Sequence, residues 1–414
     1  MKANSHLSLA VGSLCTVLAL TAEAGSSELT VHEWGTFTSV QGGDGAQLAW
    51  YTGEASELPR FVYDWNKPGL HRPRPQRYIL SPFSKSGMLA RQRMETPVIY
   101  FYSDTKLKAD VTVKFPSGLI TEWFPQAAQI GPAVPHADLE AGKPIDPGVS
   151  YESLITWNDV EILPAKQFAR TANRMPFDAR GEHYFAARET DAAFVRVNNR
   201  AITNNADEFD KLLFYRGAGN FIAPLTVMTS AEGMVTVSNT GQDKLTDLFL
   251  LQIRGEKGQL TQLSQLAPGA RQELGKLVDE GATPARSRES VRSEISQQME
   301  AALVAAGLFP REATAMVKTW SDLWFGEDGV RVLYLLPRAW TDQILPITVT
   351  PAPRELVRVM VGRAEIIPPA TQRALTRLQT KAGAKDPVAE FELKRFERAL
   401  GRFYPAAYQL AQNN

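Results

Sequence analysis

From Leu29 to about Gly275 the chain consists of short β-branched and aromatic runs, each closed by proline, glycine or serine. That punctuation restricts the region to sheets of short strands. Residues 29–38 (LTVHEWGTFT), 97–103 (PVIYFYS), 110–115 and 119–124 all have strand character, and Pro116-Ser117-Gly118 between the last two predicts a hairpin turn. Residues 233–239 (GMVTVSN) and 245–254 (LTDLFLLQIR) flank Thr240-Gly241 and predict another antiparallel pair. Strands at this spacing favour one or two antiparallel β-sandwiches.

Two long connections interrupt the strands. Residues 64–87 are Pro-rich and basic, and 125–148 are rich in proline and glycine with almost no periodic pattern. Loops of this length cover a site, pack as Ω-loops or make surface excursions. The composition changes at 279–288 (DEGATPARSR), which predicts a linker. A helix is then expected from Pro284 to Ala306, with Val291, Ile295, Met299, Ala302 and Ala306 on one face and Gly307 closing it. A second begins near Pro310 with Ala313, Met316, Val317, Trp320 and Trp324 on its stripe. Tryptophans at i and i+4 beside other apolar residues read as core before they read as a sugar platform. Three more strand-like runs follow, and Leu393, Phe396, Leu400, Phe403, Ala407 and Leu410 predict terminal helix that docks on the body and breaks or restarts at Pro405. The expected fold class is β-rich α+β: sandwiches over 25–278, then a mixed portion over 279–414 with C-terminal helices.

Residues 1–24 have three zones: Lys2, the apolar run 7–21, and small residues around Glu23 in Ala22-Glu23-Ala24. This is the pattern of a secretory signal cut after Ala24. The run is short for a membrane span, which takes about 20 apolar residues. Cys15, the only cysteine, lies inside it, preceded by Leu14 where a lipoprotein signal needs a small residue. The mature chain therefore lacks thiols, which excludes disulfides, zinc–cysteine sites and cysteine nucleophiles. Lys2 and Glu23 leave together, so the net charge stays at zero. No global field then draws nucleic acid, and no stable membrane span is expected after cleavage. The expected location is periplasmic or secreted.

GxSxG, HExxH, Walker and GxGxxG motifs are all missing. Chemistry is thus sought in carboxylates and imidazoles. In residues 31–37 (VHEWGTF) Glu33 shares parity with Leu29, Val31 and Phe37, while His32 and Trp34 face the other way. In residues 91–101 (RQRMETPVIYF) Arg91, Arg93 and Glu95 lead along one parity into Ile99 and Phe101. Carboxylates on apolar faces are paired, protonated or at a site. Glu33 and Glu95 are the catalytic candidates if they meet across a cleft. An Arg93–Glu33 or Arg93–Glu95 pair that organises strand packing is the competing reading. His71, Arg72 and Arg74 on the basic loop, with Trp34, are the substrate-binding candidates, and a solvated charge run is their alternative. A divalent metal would need imidazole and carboxylate ligands, and His32 and His183 are the candidates although no histidine pair shows ligand spacing. The glycines of residues 213–221 (LFYRGAGNF) read as a tight backbone turn, since no helix start follows to cradle a phosphate.

The stretches VHEWGTFTSVQG, RQRMETPVIYFYS and LFYRGAGNF, with LWFGEDGVRVLYLLPR and VRVMVGRAE later on, resemble a group of exported bacterial proteins of uncharacterised activity. The resemblance implies a bacterial, envelope-side setting and supplies no activity, cofactor or catalytic residue. Two functions follow as expectations. One is an extracytoplasmic hydrolase or lyase acting on an envelope or extracellular polymer. The other is a non-catalytic binding or assembly protein in which the same carboxylates are structural.

Overall fold

The computed structural model describes residues 27–52, 58–64, 89–131, 153–179, 182–198, 207–278 and 282–413. The signal-like segment and most of both long connections lie outside the described residues.

Among the described residues, the strands longer than two residues are β1 (Ser27–Gly42), β2 (Gln92–Tyr102), β3 (Leu107–Phe115), β4 (Gly118–Phe124), β5 (Ser153–Leu163), β6 (Phe194–Val197), β7 (Glu208–Asp210) and β8 (Leu213–Gly219). They continue as β9 (Leu225–Thr229), β10 (Met234–Asn239), β11 (Leu245–Arg254), β12 (Lys257–Leu266), β13 (Arg271–Lys276), β14 (Gly329–Leu336), β15 (Ile347–Thr350) and β16 (Pro353–Ile367). The α-helices are α1 (Glu182–Ala186), α2 (Arg288–Ala305), α3 (Pro310–Ser321), α4 (Arg338–Ile344), α5 (Pro369–Gly383), α6 (Pro387–Leu400) and α7 (Tyr404–Gln412).

An eleven-stranded sheet runs in the order β12-β11-β14-β16-β1-β2-β8-β4, completed by two-residue strands at both edges and beside β1. β1 and β16 pair in parallel; the other pairings are antiparallel. A second sheet, β7-β6-β5-β3-β15, and a small third sheet, β9-β10-β13, pack on one face of the large sheet. Trp157 of β5 meets Tyr215 of β8 there, and Phe115 and Phe37 both meet Phe221. Gln41 of β1 ties the third sheet in by donating to the Leu225 carbonyl and accepting from the Val227 amide. The other helices cover the opposite face, but α4 lies on the side of the smaller sheets, where its Trp340 meets Phe37 and Phe221. The result is β-rich α+β, as expected from the strand punctuation.

Both predicted hairpins are arches. β3 and β4 flank Pro116-Ser117-Gly118 but belong to different sheets, and so do β10 and β11 around Thr240-Gly241. A turn signature specifies a reversal of direction; it does not specify whether the second strand bonds to the first or stacks on it. At Gly118 a Cβ would lie 2.7 Å from the Ala218 carbonyl oxygen of the neighbouring strand, backbone that cannot turn aside, so the arch favours glycine there.

The composition change at residue 279 marks a change of element type and not the edge of a core. β14 and β16 follow it, yet they lie between β11 and β1, which precede it. α2 begins four residues after Pro284, with Ser287 accepting the Ser290 amide as N-cap. Val291, Ile295, Met299 and Ala302 are buried, but Ala306 lies beyond the helix and is exposed. Gly307, at φ +111°, takes the left-handed position that ends it. Trp320 of α3 and Trp324, on the π turn Asp322–Gly326, are buried and stacked with centroids 6.2 Å apart, which makes them core. Leu393, Phe396, Leu400, Phe403 and Ala407 form a second core with Val40, Trp50 and Ile367, so the terminal helices do dock on the sheet.

Candidate functional site

The placement of Glu33 and Glu95 turns on one extra residue. While β1 advances from Trp34 to Thr36, β2 runs back three residues, from Val98 to Glu95. The surplus forms a β-bulge at Thr96-Pro97, where Thr96 takes φ +44° and Pro97 has no amide to give the ladder. Opposite it, a Cβ on Gly35 would stand 2.9 Å from the Pro97 Cα, a backbone approach that only glycine permits. A bulge inverts side-chain parity. Ile99 and Phe101 register with Glu33 and Val31, whereas Glu95 and Arg93 register with Thr36 and Thr38. The expected continuity of Arg93 and Glu95 with Ile99 and Phe101 is therefore corrected, and Glu33 and Glu95 face opposite sides of the sheet.

On the side of the smaller sheets, Glu33 is fully buried. The Tyr215 hydroxyl donates to one carboxylate oxygen at 2.5 Å and Arg358 Nε to the other at 2.6 Å. Arg358 registers directly across from Glu33 on β16, and its Nη1 continues to Asp342 of α4 at 2.6 Å. Burial works against the Arg358 charge, but Glu33 and Tyr215 outweigh it and hold the guanidinium more firmly protonated than usual. Burial and then the Glu33 charge push the Tyr215 hydroxyl well above its ordinary value, so it remains a donor.

On the helical side, Arg93 Nε lies 2.7 Å from Glu95, and Arg402 reaches the same carboxylate at 2.8 Å. Burial, offset in part by Glu95, pushes the Arg93 guanidinium down to about 10. Beyond Thr38, which registers with Arg93 on one side and Arg363 on the other, the pattern repeats. Arg363 bonds Glu365 at 2.8 Å and Glu327 at 2.6 Å, and Arg331 bonds Glu365 at 3.1 Å. Arg402 comes within 3.7 Å of Glu327 and joins the two halves. The result is a buried row of alternating guanidinium and carboxylate groups across the middle of the sheet.

Glu327, between Arg363 and Arg402, is the member of that row nearest solvent, with its side chain 31% exposed. It lies on the wall of an open cavity of about 450 Å³ that also involves Glu256, Arg288, Arg292 and Asp322. Burial would raise the Glu327 pKa, but Arg363, Arg402 and Arg331 together hold it below the ordinary 4.5. A carboxyl depressed in the folded state adds stability that is complete above 4.5 and lost as pH falls through the lower folded value. Glu327→Gln is therefore expected to melt earlier than wild type at neutral pH and to lose less on acidification below 4.5. Thermal melts across that range check this.

The histidines serve separate contacts. His32 Nδ1 bonds Glu312 of α3 at 2.7 Å, and the ring stacks on Phe309. The same Glu312 oxygen accepts the Phe309 amide at 2.8 Å, so one carboxylate both opens α3 and pins it to β1. His183 Nδ1 donates to the Thr319 carbonyl at 2.9 Å, two turns along α3. Among the described residues no group of three or more His, Cys, Asp or Glu could hold a metal. Trp34, expected to touch substrate, is fully buried beside Tyr100 and is corrected to core. His71, Arg72 and Arg74 lie outside the described residues. The glycines after Tyr215 form no turn. They lie in β8 between β2 and β4, where a Cβ on Gly217 would stand 2.1 Å from the Leu119 carbonyl oxygen. Sequence reasoning missed Arg358, Arg363 and Glu365 as network members. Three charges inside an otherwise apolar stretch (LVRVMVGRAEII) were the available signal.

No family model matches the chain, and no curated protein does. Among solved structures it is similar to the Fcho1 Mu homology domain of Danio rerio with bound Eps15 peptide, at 7% identity and a TM-score of 0.30, over 83% of this chain and 98% of that one. It is also similar to the yeast delta-COP-I mu-homology domain complexed with a Dsl1 WxWxV peptide, at 8% identity and 0.28, over 83% and 97%. Likenesses of this degree carry no argument about fold or partner.

Proposed function

We propose that this chain is an exported, non-catalytic binding or assembly protein of the bacterial envelope. One observation carries the non-catalytic part: Glu33 and Glu95 are each held by buried arginines, on opposite faces of one sheet. A general acid or base must come within hydrogen-bond reach of its substrate. Glu33 is fully enclosed, and Glu95 is 2% exposed. Their geometry instead favours the work of an ion-pair frame that fixes strand packing. The test is the stability of Glu33→Gln and Glu95→Gln, with both expected to fall substantially. A gain in stability in either variant would reinstate that carboxylate as a strained catalytic group.

Export rests on residues 1–24. A mature mass beginning at Gly25, measured on protein recovered from the envelope fraction or medium, is the expected result; retention of the leader in the cytosol would overturn it.

A further inference from the structure

The inner face of α6 is already occupied, since Ala389 is buried and Leu393, Phe396 and Leu400 pack into the second core. The outer face carries an unexpected set. With 3.6 residues per turn, Val388, Phe391, Lys394, Arg395 and Arg398 fall within an arc of about 120° on the opposite side. Val388 is 67% exposed and Phe391 57%. Glu390, Glu392 and Glu397 lie outside that arc by the same spacing, so Lys394, Arg395 and Arg398 adjoin the exposed apolar pair within the arc, and Glu392 borders it beside Val388, paired with Arg395.

The preceding helix extends the pattern. α5 contains no acidic residue, and Arg373, Arg377 and Lys381 recur every four residues on its exposed face, with Lys385 in the connection to α6. Among the described residues the side chains of Arg373, Arg377, Lys381, Lys385, Lys394 and Arg398 have no ion-pair or hydrogen-bonding partner, and that of Arg395 pairs only with its half-buried neighbour Glu392. Among the described residues most other arginines are paired, so the run of free cations along the α5–α6 hairpin stands apart from them.

We propose that the α5–α6 hairpin seats the protein on an anionic phospholipid surface. Val388 and Phe391 enter the boundary between headgroups and acyl chains, and the flanking cations meet the phosphates. The chain's zero net charge does not oppose this, because screening confines the field of each group to about 8 Å and only the hairpin's charges reach the surface. A nucleic acid or an acidic polysaccharide would use the cations but has no acyl region for an exposed valine and phenylalanine. The contact lies on the surface and does not cross it; among the described residues no helix is long and apolar enough to span a membrane. This inference does not rest on the carboxylate reading above, and different residues test it.

The experiment is vesicle flotation of the full chain at physiological salt, with phosphatidylcholine vesicles compared with vesicles containing about one-third phosphatidylglycerol. Binding to the anionic vesicles is expected to be at least about tenfold tighter. Lys394→Gln with Arg398→Gln is expected to weaken it by about twenty-fivefold, near fivefold per cation, and to leave binding to neutral vesicles unchanged. Val388→Ser with Phe391→Ser is expected to weaken it by at least about tenfold. All four positions are exposed, so melting temperatures matching wild type will show that the variants fold. Equal binding to both vesicle types, or full binding by the serine pair, would overturn the proposal. So would capture by an acidic polymer that survives the serine pair while vesicles are ignored.

Discussion

Glu33→Gln is expected to lower the unfolding free energy by about 3 kcal/mol, and Arg358→Met by nearer 5, within the range for removing one partner of a buried ion pair. The asymmetry follows from what each variant leaves behind. Without the Glu33 charge, Arg358 still has Asp342, whose side chain is 45% exposed. Without Arg358, a fully buried carboxylate keeps only the Tyr215 hydroxyl. The double variant is expected to cost less than the sum, with a coupling of more than about 1 kcal/mol, because the second removal relieves the charge stranded by the first. Urea denaturation at neutral pH measures all three. Losses below about 1 kcal/mol would mean that the pair does not hold the strands and would remove the structural reading of Glu33.

The second large effect is steric. Gly217→Ala is expected to cost about 3 kcal/mol or more, since its Cβ would lie 2.1 Å from the Leu119 carbonyl oxygen. That neighbour is backbone of the adjacent strand and cannot turn aside without opening the β4–β8 ladder. Gly219→Ala meets the Phe221 and Phe115 rings at 2.6 and 2.8 Å, and rings can shift, so about half that loss is expected. Gly383→Ala serves as the control. It ends α5 with nothing within 4 Å, and a gain of up to about 0.5 kcal/mol in helix propensity is expected. Equal effects at Gly217 and Gly219 would contradict the close approach.

The elements themselves were legible in the sequence, and their partners were not. Apolar periodicity predicted α2, α3 and the docked terminal helices because each buries one stripe. It also placed Glu33 on an inward face. It failed at β1's other face, where His32 and Trp34 are buried as well, because a strand in the middle of a covered sheet has no solvent side. It failed again across Thr96-Pro97, since alternation assumes an unbroken pleat and a single inserted residue reverses it. The competing Arg93–Glu95 pairing could be anticipated because both residues lie on one strand. The Glu33–Arg358 pair could not, because 325 residues separate its members.

That separation also bears on the order in which the molecule is made. β1 is among the first strands synthesised, and β16, its parallel neighbour over most of its length, is among the last. The Thr36 hydroxyl cannot donate to the Val361 carbonyl until almost the whole polypeptide has emerged. No growing chain that stops short of β16 can close the large sheet, so the central strand remains half-partnered throughout translation. Under the export proposed above, such a delay would keep the chain open enough for passage through a membrane until its last strand is available.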